Sequence, residues 1–237
     1  MMKELWLFAN LILFIFSAFI SGFFFLQAKK NKQVESLRKY CIGIGIFMLF
    51  VALNGAIDVS TMYVTEVLGK YDLFPEEQQF LTYGKNSFYI IITLLMVGFS
   101  VLSYQIESHI TRSQRHTLTI VLVVCFFISL IPYFGFLIPD EYHKLVKNIV
   151  YGTQVPFTLI IIYWGVFYLS LARKSAGIVK RKALMVAFGL GFLFFGIIVD
   201  TMYRWVRADE FIVPFAVRCI SIVGAILLLF GFKREEF

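Results

Sequence analysis

The sequence predicts an all-α, polytopic membrane protein with seven transmembrane helices. Of its 237 residues, 59% are hydrophobic and only 16% are charged, which is too few charges to cover a water-soluble domain of this size. A hydrocarbon layer of about 30 Å is crossed by about 20 helical residues at about 1.5 Å each. Seven apolar stretches are long enough: 5–27, 40–64, 86–106, 117–138, 149–172, 183–205 and 211–232. We expect residues 1–237 to form a single seven-helix membrane domain.

The basic residues predict the orientation of the chain. Lys and Arg outnumber acidic residues by 14 to 4 in the loops 28–39, 107–116 and 173–182 and the tail 233–237 taken together. The N-terminus and the loops 65–85, 139–148 and 204–210 together contain 7 Lys and Arg residues and 9 acidic residues. Because cytoplasmic loops are enriched in Lys and Arg, we expect a multi-pass cell-membrane protein with its N-terminus outside and its C-terminus in the cytoplasm. This bias, together with anionic membrane lipid at the inner face, explains the net charge of +7, and we expect no nucleic-acid partner.

Two segments of the chain are near-copies of each other. Residues 55–63 read GAIDVSTMY and residues 196–203 read GIIVDTMY. Each copy places an aspartate, Asp58 or Asp200, near the end of a predicted span. The resemblance predicts a duplicated three-helix unit arranged around a polar site. Chance similarity between two apolar segments is the alternative.

The proposed duplication extends beyond the two motifs. The aligned pairs are Arg38-Lys39 with Lys180-Arg181, Gly98-Phe99 with Gly231-Phe232, and Lys85 with Arg218. The first of these pairs shares the offset of 142 between the two aspartates, whereas the other two need a gap. The repeat units are then 1–106 and 149–237, and the linker helix 117–138 makes the repeats parallel.

This three-plus-one-plus-three topology resembles that of the sugar-transporting SWEETs, the microbial rhodopsins and the seven-helix sensor regions of some bacterial receptors. The resemblance covers the whole chain in length and topology. Rhodopsins hold retinal on a lysine of helix 7, but residues 211–232 contain Arg218 and no lysine. SWEETs carry helix-breaking prolines in four spans, of which only Pro156 has a counterpart here. We therefore expect no cofactor, and the resemblance does not extend to sugar transport.

Ionisable residues inside a span are costly in hydrocarbon and mark a candidate site. Asp58 and Asp200 lie about 26 Å from the cytoplasmic ends of their spans, and Arg218 lies about 12 Å from the outer end of span 7. We expect Arg218 to pair with one of the two aspartates. Other hydrogen-bonding residues in the outer half complete the candidate ligand-binding set: Asn10, Asn54, Lys85, Gln154 and Arg204. The set predicts an outward-facing pocket for a small charged or zwitterionic ligand.

The same residues also have a structural interpretation. Asp200 and Arg204 are four residues apart on one helix, and such pairs near the ends of spans often only anchor the topology. The small residues Ser17, Ala18, Ser21 and Gly22 of span 1 favour close helix packing. From the residues alone, a ligand site and a purely structural role both stay open.

Helix-start signals occur in two of the predicted outer loops. Asp72, Pro75 and the acids after them predict a short helix over 75–84 on the outer surface, and Pro139-Asp140-Glu141 predicts a start that runs into span 5. Both segments would cover an outward-facing pocket. As ordinary interfacial helices they would have no such role.

Three classes of function fit this pattern. The leading one is a receptor-like or ligand-binding protein that acts through a partner protein at loops 28–39 and 173–182, because only residues 233–237 follow span 7. The alternatives are a small-solute transporter and a non-catalytic subunit or assembly factor of a membrane complex. Residues 183–199 of span 6 and 222–232 of span 7 contain no ionisable or hydroxyl side chain, which favours sensing over transport. We expect neither a metal site nor an enzyme, because no span carries a histidine.

The orientation can be tested by thiol labelling in intact cells. Cysteines introduced at Ser36 and Ser175 should react with a membrane-impermeant reagent only after the cells are opened, whereas a cysteine at Gln79 should react directly. The unmodified chain is the control for its own three cysteines. Labelling at Ser175 in intact cells would contradict the orientation.

Overall fold

The described part of the protein is entirely helical in its regular structure. The computed structural model describes residues 2–62, 76–111, 115–131, 143–206 and 212–233. Within these ranges there are seven helices: α1 Met2–Lys30, α2 Glu35–Met62, α3 Glu76–His109, α4 Thr117–Ser129, α5 His143–Lys174, α6 Gly177–Val206 and α7 Ile212–Phe232. The all-α prediction is confirmed for these residues.

Four of the described helices are long and apolar enough to cross a membrane. The qualifying segments are Glu4–Lys30, Glu35–Ile57, Gly152–Lys174 and Ile212–Phe232, on α1, α2, α5 and α7. Helix α4 is apolar but shorter, with 13 residues. These segments confirm the prediction of a membrane protein with transmembrane helices. The count of seven spans stays a prediction.

Helix α3 is longer than the sequence predicts. Residues 76–84 are helical, as expected, but they continue without a break into the third span and are not a separate surface helix. The 34 residues of α3 correspond to about 51 Å. Glu and Gln at its start are good helix formers, and Gly84, where the expected surface helix would end, costs only about 1 kcal/mol in a helix. Residues 72–75 and 139–141 lie outside the described ranges.

The described helices divide between two compact units. Unit 1 comprises Met1–Phe16 and Leu159–Phe237, and unit 2 comprises Ser17–Thr158. Unit 2 therefore contains α2, α3 and α4, and unit 1 contains α6 and α7. The boundaries between the units fall within α1 and α5.

In unit 2, α2 packs closely against α1 and α3. The Ser21 hydroxyl donates a hydrogen bond to the carbonyl oxygen of Gly45 at 2.8 Å, so the small residues of span 1 do mediate a close helix contact. Gly22, in contrast, is exposed and has no neighbouring heavy atoms within 4 Å. On the other side of α2, a Cβ atom on Gly98 of α3 would lie 2.8 Å from the Phe50 Cβ and 3.5 Å from the carbonyl oxygen of Phe47.

A buried carboxylate joins the end of α3 to the start of α4. Glu107 is only 3% exposed. Its carboxylate accepts hydrogen bonds from the backbone amides of Leu118 at 3.1 Å and Thr119 at 3.0 Å, and from the Thr119 hydroxyl at 2.5 Å. The first amides of a helix have no partner within the helix, and the helix dipole favours a negative charge there. Glu107 thus caps α4 from a neighbouring helix.

In unit 1, α6 and α7 pack along a seam with alternating three- and four-residue spacing. The seam residues are Val186, Gly189, Leu193 and Gly196 on α6, and Val217, Ser221, Gly224, Leu228 and Gly231 on α7. The helices are antiparallel, because Val186 contacts Gly231 while Gly196 contacts Val217. This spacing is that of helices packed in a coiled-coil manner, with small residues that let the backbones approach.

The contacts across this seam bring the backbone of each helix against the backbone and side chains of the other. A Cβ atom on Gly189 would lie 3.0 Å from the carbonyl oxygen of Gly224 and 2.8 Å from Leu228 Cγ. The Ser221 hydroxyl is within hydrogen-bonding distance of two carbonyl oxygens, at 3.3 Å from Leu193 on α6 and 3.2 Å from Val217 on its own helix. At one end of the pair, Lys182 Nζ donates to the carbonyl oxygen of Lys233 at 2.5 Å. The seam therefore has no room for larger side chains at its glycines.

Two glycines of α6 allow a matched test of the seam. We expect Gly189→Leu to lower the free energy of unfolding by about 1–3 kcal/mol, because the new side chain overlaps α7. Gly191 is exposed and has no neighbouring heavy atoms within 4 Å, so Gly191→Leu should change it little. Thermal unfolding of both variants in the same detergent measures the difference. Equal losses would contradict the seam.

Candidate functional site

The predicted site residues fall into two groups of four. Unit 1 contains Asn10, Asp200, Arg204 and Arg218, and unit 2 contains Asn54, Asp58, Lys85 and Gln154. All eight lie on described helices. The structure gives the positions of four of them along their helices but does not describe their side chains: Asp58, Lys85, Asp200 and Arg204.

Arg218 is the most buried charged side chain that the structure describes, with an exposed fraction of 0%. It lies about 9 Å from the first residue of α7. It follows the seam residue Val217 and precedes Ser221 by three residues, so it borders the face that contacts α6. A guanidinium in such surroundings is costly unless a carboxylate or polar groups compensate it.

The seam spacing places Asp200 near the level of Arg218. Gly196 of α6 lies against Val217 and Ser221 of α7. Asp200 follows Gly196 by four residues and so occupies the next position of the same seam. In an antiparallel pair, this step along α6 corresponds to one turn towards the start of α7 from the level of Val217 and Ser221. Asp200 therefore lies within about one turn of Arg218, on the side of the start of α7. This register favours Asp200 as the acidic partner of Arg218 within unit 1.

Asn54 of α2 is buried without satisfied hydrogen bonds. Its exposed fraction is 1%. Within the described residues, neither its amide nitrogen nor its amide oxygen has a hydrogen-bond partner. A buried polar group left in this state costs about 1–3 kcal/mol, so it needs an explanation such as a bound water, ion or ligand. Asp58 follows Asn54 by four residues on the same helix face.

Asn10 and Gln154 each have one buried side-chain amide atom without a hydrogen-bond partner among the described residues. Asn10 is completely buried, and its side-chain nitrogen donates to the Trp6 carbonyl oxygen at 3.1 Å. Its side-chain oxygen has no partner among the described residues. Gln154 is half-buried, and its side-chain nitrogen likewise lacks a partner within the described ranges. Each side chain thus has one buried amide atom without a described partner, the oxygen of Asn10 and the nitrogen of Gln154, whereas both amide atoms of Asn54 lack one.

Two polar contacts that join α3 to α4 were not predicted from the sequence. Thr93 of α3 and Ser129 of α4 form a buried hydroxyl pair at 3.2 Å. Because Ser129 donates to the Phe126 carbonyl oxygen at 2.7 Å, Thr93 is the donor to Ser129. The carboxylate of Glu107 is a second such contact. An acid at the end of one span, followed by threonines at the start of the next helix, is the sequence signal that would have indicated it.

No protein-family model, curated protein or solved structure matches this chain. The burial of Arg218, the unsatisfied amide of Asn54 and the α6–α7 seam are the observations that bear on function. The first two are features of the predicted site residues themselves.

The pairing of Arg218 can be measured with a double-mutant cycle. We expect Arg218→Leu to lower the free energy of unfolding by about 1–3 kcal/mol, because it leaves a carboxylate without its cation. Adding Asp200→Asn should recover part of this loss, which thermal unfolding would show as a non-additive effect. Asp58→Asn in the same background is the matched control. Additivity with Asp200 would contradict the pairing, and coupling to Asp58 would identify that residue as the partner.

Proposed function

We propose that this protein is a receptor-like or ligand-binding integral protein of the cell membrane. Its site contains Asp200 and Arg218 in unit 1. In unit 2, Asp58 is the counterpart of Asp200, and Asn54 lies one helical turn before it. The complete burial of Arg218 beside the α6–α7 seam is the observation that carries the proposal. Charged and amide groups of this kind fit a small zwitterionic or charged ligand.

We further propose the seven-span, three-plus-one-plus-three repeat with the N-terminus outside. The contacts support a common register for the two halves. Gly98 lies against the Phe47 carbonyl and Gly224 lies against the Gly189 carbonyl, and Phe47 and Gly189 are separated by the same 142 positions as the two aspartates. In this register Gly98 corresponds to Gly224. The alignment based on sequence alone paired Gly98 with Gly231, which lies seven residues further along α7. Lys85 is then no longer the counterpart of Arg218.

The inner halves of the helices favour ligand binding over transport. The seam between Val186 and Leu193 on α6 is closed by backbone contacts with α7. In α3, the Ser100 hydroxyl donates to the Met96 carbonyl oxygen of its own helix at 2.6 Å, and the Gln105 side chain lies against Gly43. Both side chains are buried, each with an exposed fraction of 8%, whereas a carrier with alternating access needs a wettable exit. A small-solute transporter is therefore the second candidate function, after a ligand-binding protein.

A binding protein of this kind passes its signal to other proteins. We propose that a partner protein contacts the basic segments 28–39 and 173–182 on the cytoplasmic side. Lys29, Lys30 and Lys32 in the first segment are exposed, as are Lys180 and Arg181 in the second. A role as a non-catalytic subunit would use the same surfaces and stays the third candidate.

Purified protein in liposomes separates these functions. We expect one class among amino acids, carboxylates and amines to raise the midpoint of thermal unfolding, with no counterflow of the labelled compound. Asp200→Asn and Asp58→Asn should weaken that binding by about tenfold or more, the equivalent of a lost charge-assisted hydrogen bond. Gly191→Leu, which touches no described neighbour, is the control variant.

Two outcomes would contradict the proposal. Counterflow above that of empty liposomes, lost in Asp58→Asn or Asp200→Asn, would identify a transporter. The absence of any ligand effect, together with a stoichiometric membrane partner that co-purifies, would favour a subunit of a complex.

A further inference from the structure

A dense group of cations surrounds the turn between α5 and α6 in unit 1. Ser175 and Ala176 alone separate the two helices, and Gly177 begins α6 with a φ of +59°, which a residue with a side chain adopts rarely. The cations are Arg173 and Lys174 at the end of α5, and Lys180, Arg181 and Lys182 in the first two turns of α6. All but Lys182, which is half-buried, are exposed. We call this group, together with Lys233, the basic turn.

Lys233 belongs to the same surface because of a hydrogen bond. Lys182 Nζ donates to the carbonyl oxygen of Lys233, the residue that follows α7. This bond holds the start of α6 next to the end of α7, and Lys233 is itself exposed. Residues 173–182 include no acidic residue. The positive charge of the basic turn is therefore not compensated within its own segment.

The corresponding turn of unit 2 contains a carboxylate that the basic turn lacks. Between α1 and α2, Lys39 Nζ forms an ion pair with Glu35 Oε1 at 2.6 Å. At the offset of 142, Arg38-Lys39 corresponds to Lys180-Arg181, whereas Glu35 corresponds to Gly177. Unit 1 thus retains the basic pair but carries no carboxylate at the place of Glu35. An anion from outside the chain would complete the same arrangement of charges.

The surroundings of the basic turn indicate a lipid as the source of this anion. Ile178 and Val179 lie within it and are 43% and 55% exposed. Helices α5 and α7 are long and apolar enough to span a membrane, and the basic turn lies where they end. Aliphatic side chains next to Lys and Arg at the end of a span fit the boundary between hydrocarbon and headgroups. Ammonium and guanidinium groups donate charge-assisted hydrogen bonds to phosphate oxygens.

We propose that the basic turn binds the headgroup phosphate of an anionic phospholipid, while Ile178 and Val179 contact its acyl chains. This site lies at the opposite ends of α6 and α7 from Asp200 and Arg218 and does not depend on ligand binding at those residues. Occupation by lipid would hold the ends of α5, α6 and α7 together. The basic turn is then a lipid site in addition to any contact with a partner protein.

The test measures thermal unfolding of the full chain in detergent with increasing phosphatidylglycerol or phosphatidylcholine. Phosphatidylglycerol should raise the midpoint more than phosphatidylcholine, and less so at high salt. The double variant Lys180→Gln/Arg181→Gln should lower the apparent affinity for phosphatidylglycerol about 30-fold, as expected for two basic residues near a membrane surface. Arg173→Gln/Lys174→Gln is a second variant with the same expectation. Lys30→Gln/Lys32→Gln removes the same charge from exposed positions of unit 2 and should keep most of the affinity.

Each contrary result overturns the proposal. An equal loss of affinity in Lys30→Gln/Lys32→Gln would show that net charge alone attracts the lipid. Equal midpoints with the two lipids, or an equal shift with inorganic phosphate, would exclude a lipid site. A preference for phosphatidylglycerol that arises only in Glu235→Gln/Glu236→Gln would show that the acids of the C-terminal segment neutralise the basic turn instead.

Discussion

The close approach of α6 and α7 is the constraint on which the rest of unit 1 depends. Lipid tails are as apolar as the side chains they surround, so helices in a membrane associate through packing and hydrogen bonds. Glycines on both sides of the seam, with the Ser221 hydroxyl beside a carbonyl of α6, provide both. This contact fixes the rotation of α7 about its own axis. Because Arg218 borders the same face, the packing of glycines decides that its guanidinium is buried in the protein and not exposed to lipid.

The buried polar groups of unit 2 differ in whether they have hydrogen-bond partners among the described residues. Ser21, Thr93 and Glu107 have identified partners, and each connects one helix to another. Asn54 is equally buried, but its amide has no partner among the described residues. In hydrocarbon, the hydrogen bonds of groups that join helices offset the free-energy cost of burying them, whereas an unsatisfied buried amide lowers the stability of the fold. This cost is the physical reason why the proposed site includes Asn54, whereas Ser21, Thr93 and Glu107 connect helices.

Features encoded by neighbouring residues could be predicted from the sequence, and those that depend on a distant partner could not. The apolar run 211–232 predicted α7 to within one residue, because length and composition alone define a span. Gly189 and Gly191 look alike in the sequence, and only the position of α7 separates a packed glycine from an exposed one. The same limitation applies to Glu107, which caps a helix that begins ten residues later. The pairing of the predicted site residues depends on such distant contacts too.

In the proposed repeat, the two halves carry different residue types at one position. Asn54 and Gly196 are separated by the same offset as the two aspartates, and each precedes its aspartate by one helical turn. In α6 the glycine lets Val217 and Ser221 approach the backbone, which gives a tight pair of helices beside a buried arginine. In α2 an amide occupies this position and retains its full hydrogen-bonding capacity. Under the proposed duplication, the second half has a close helix contact where the first half has a polar group. The two halves of the proposed site therefore differ in chemistry: a guanidinium on the helix packed against that of Asp200, and an amide one turn before Asp58.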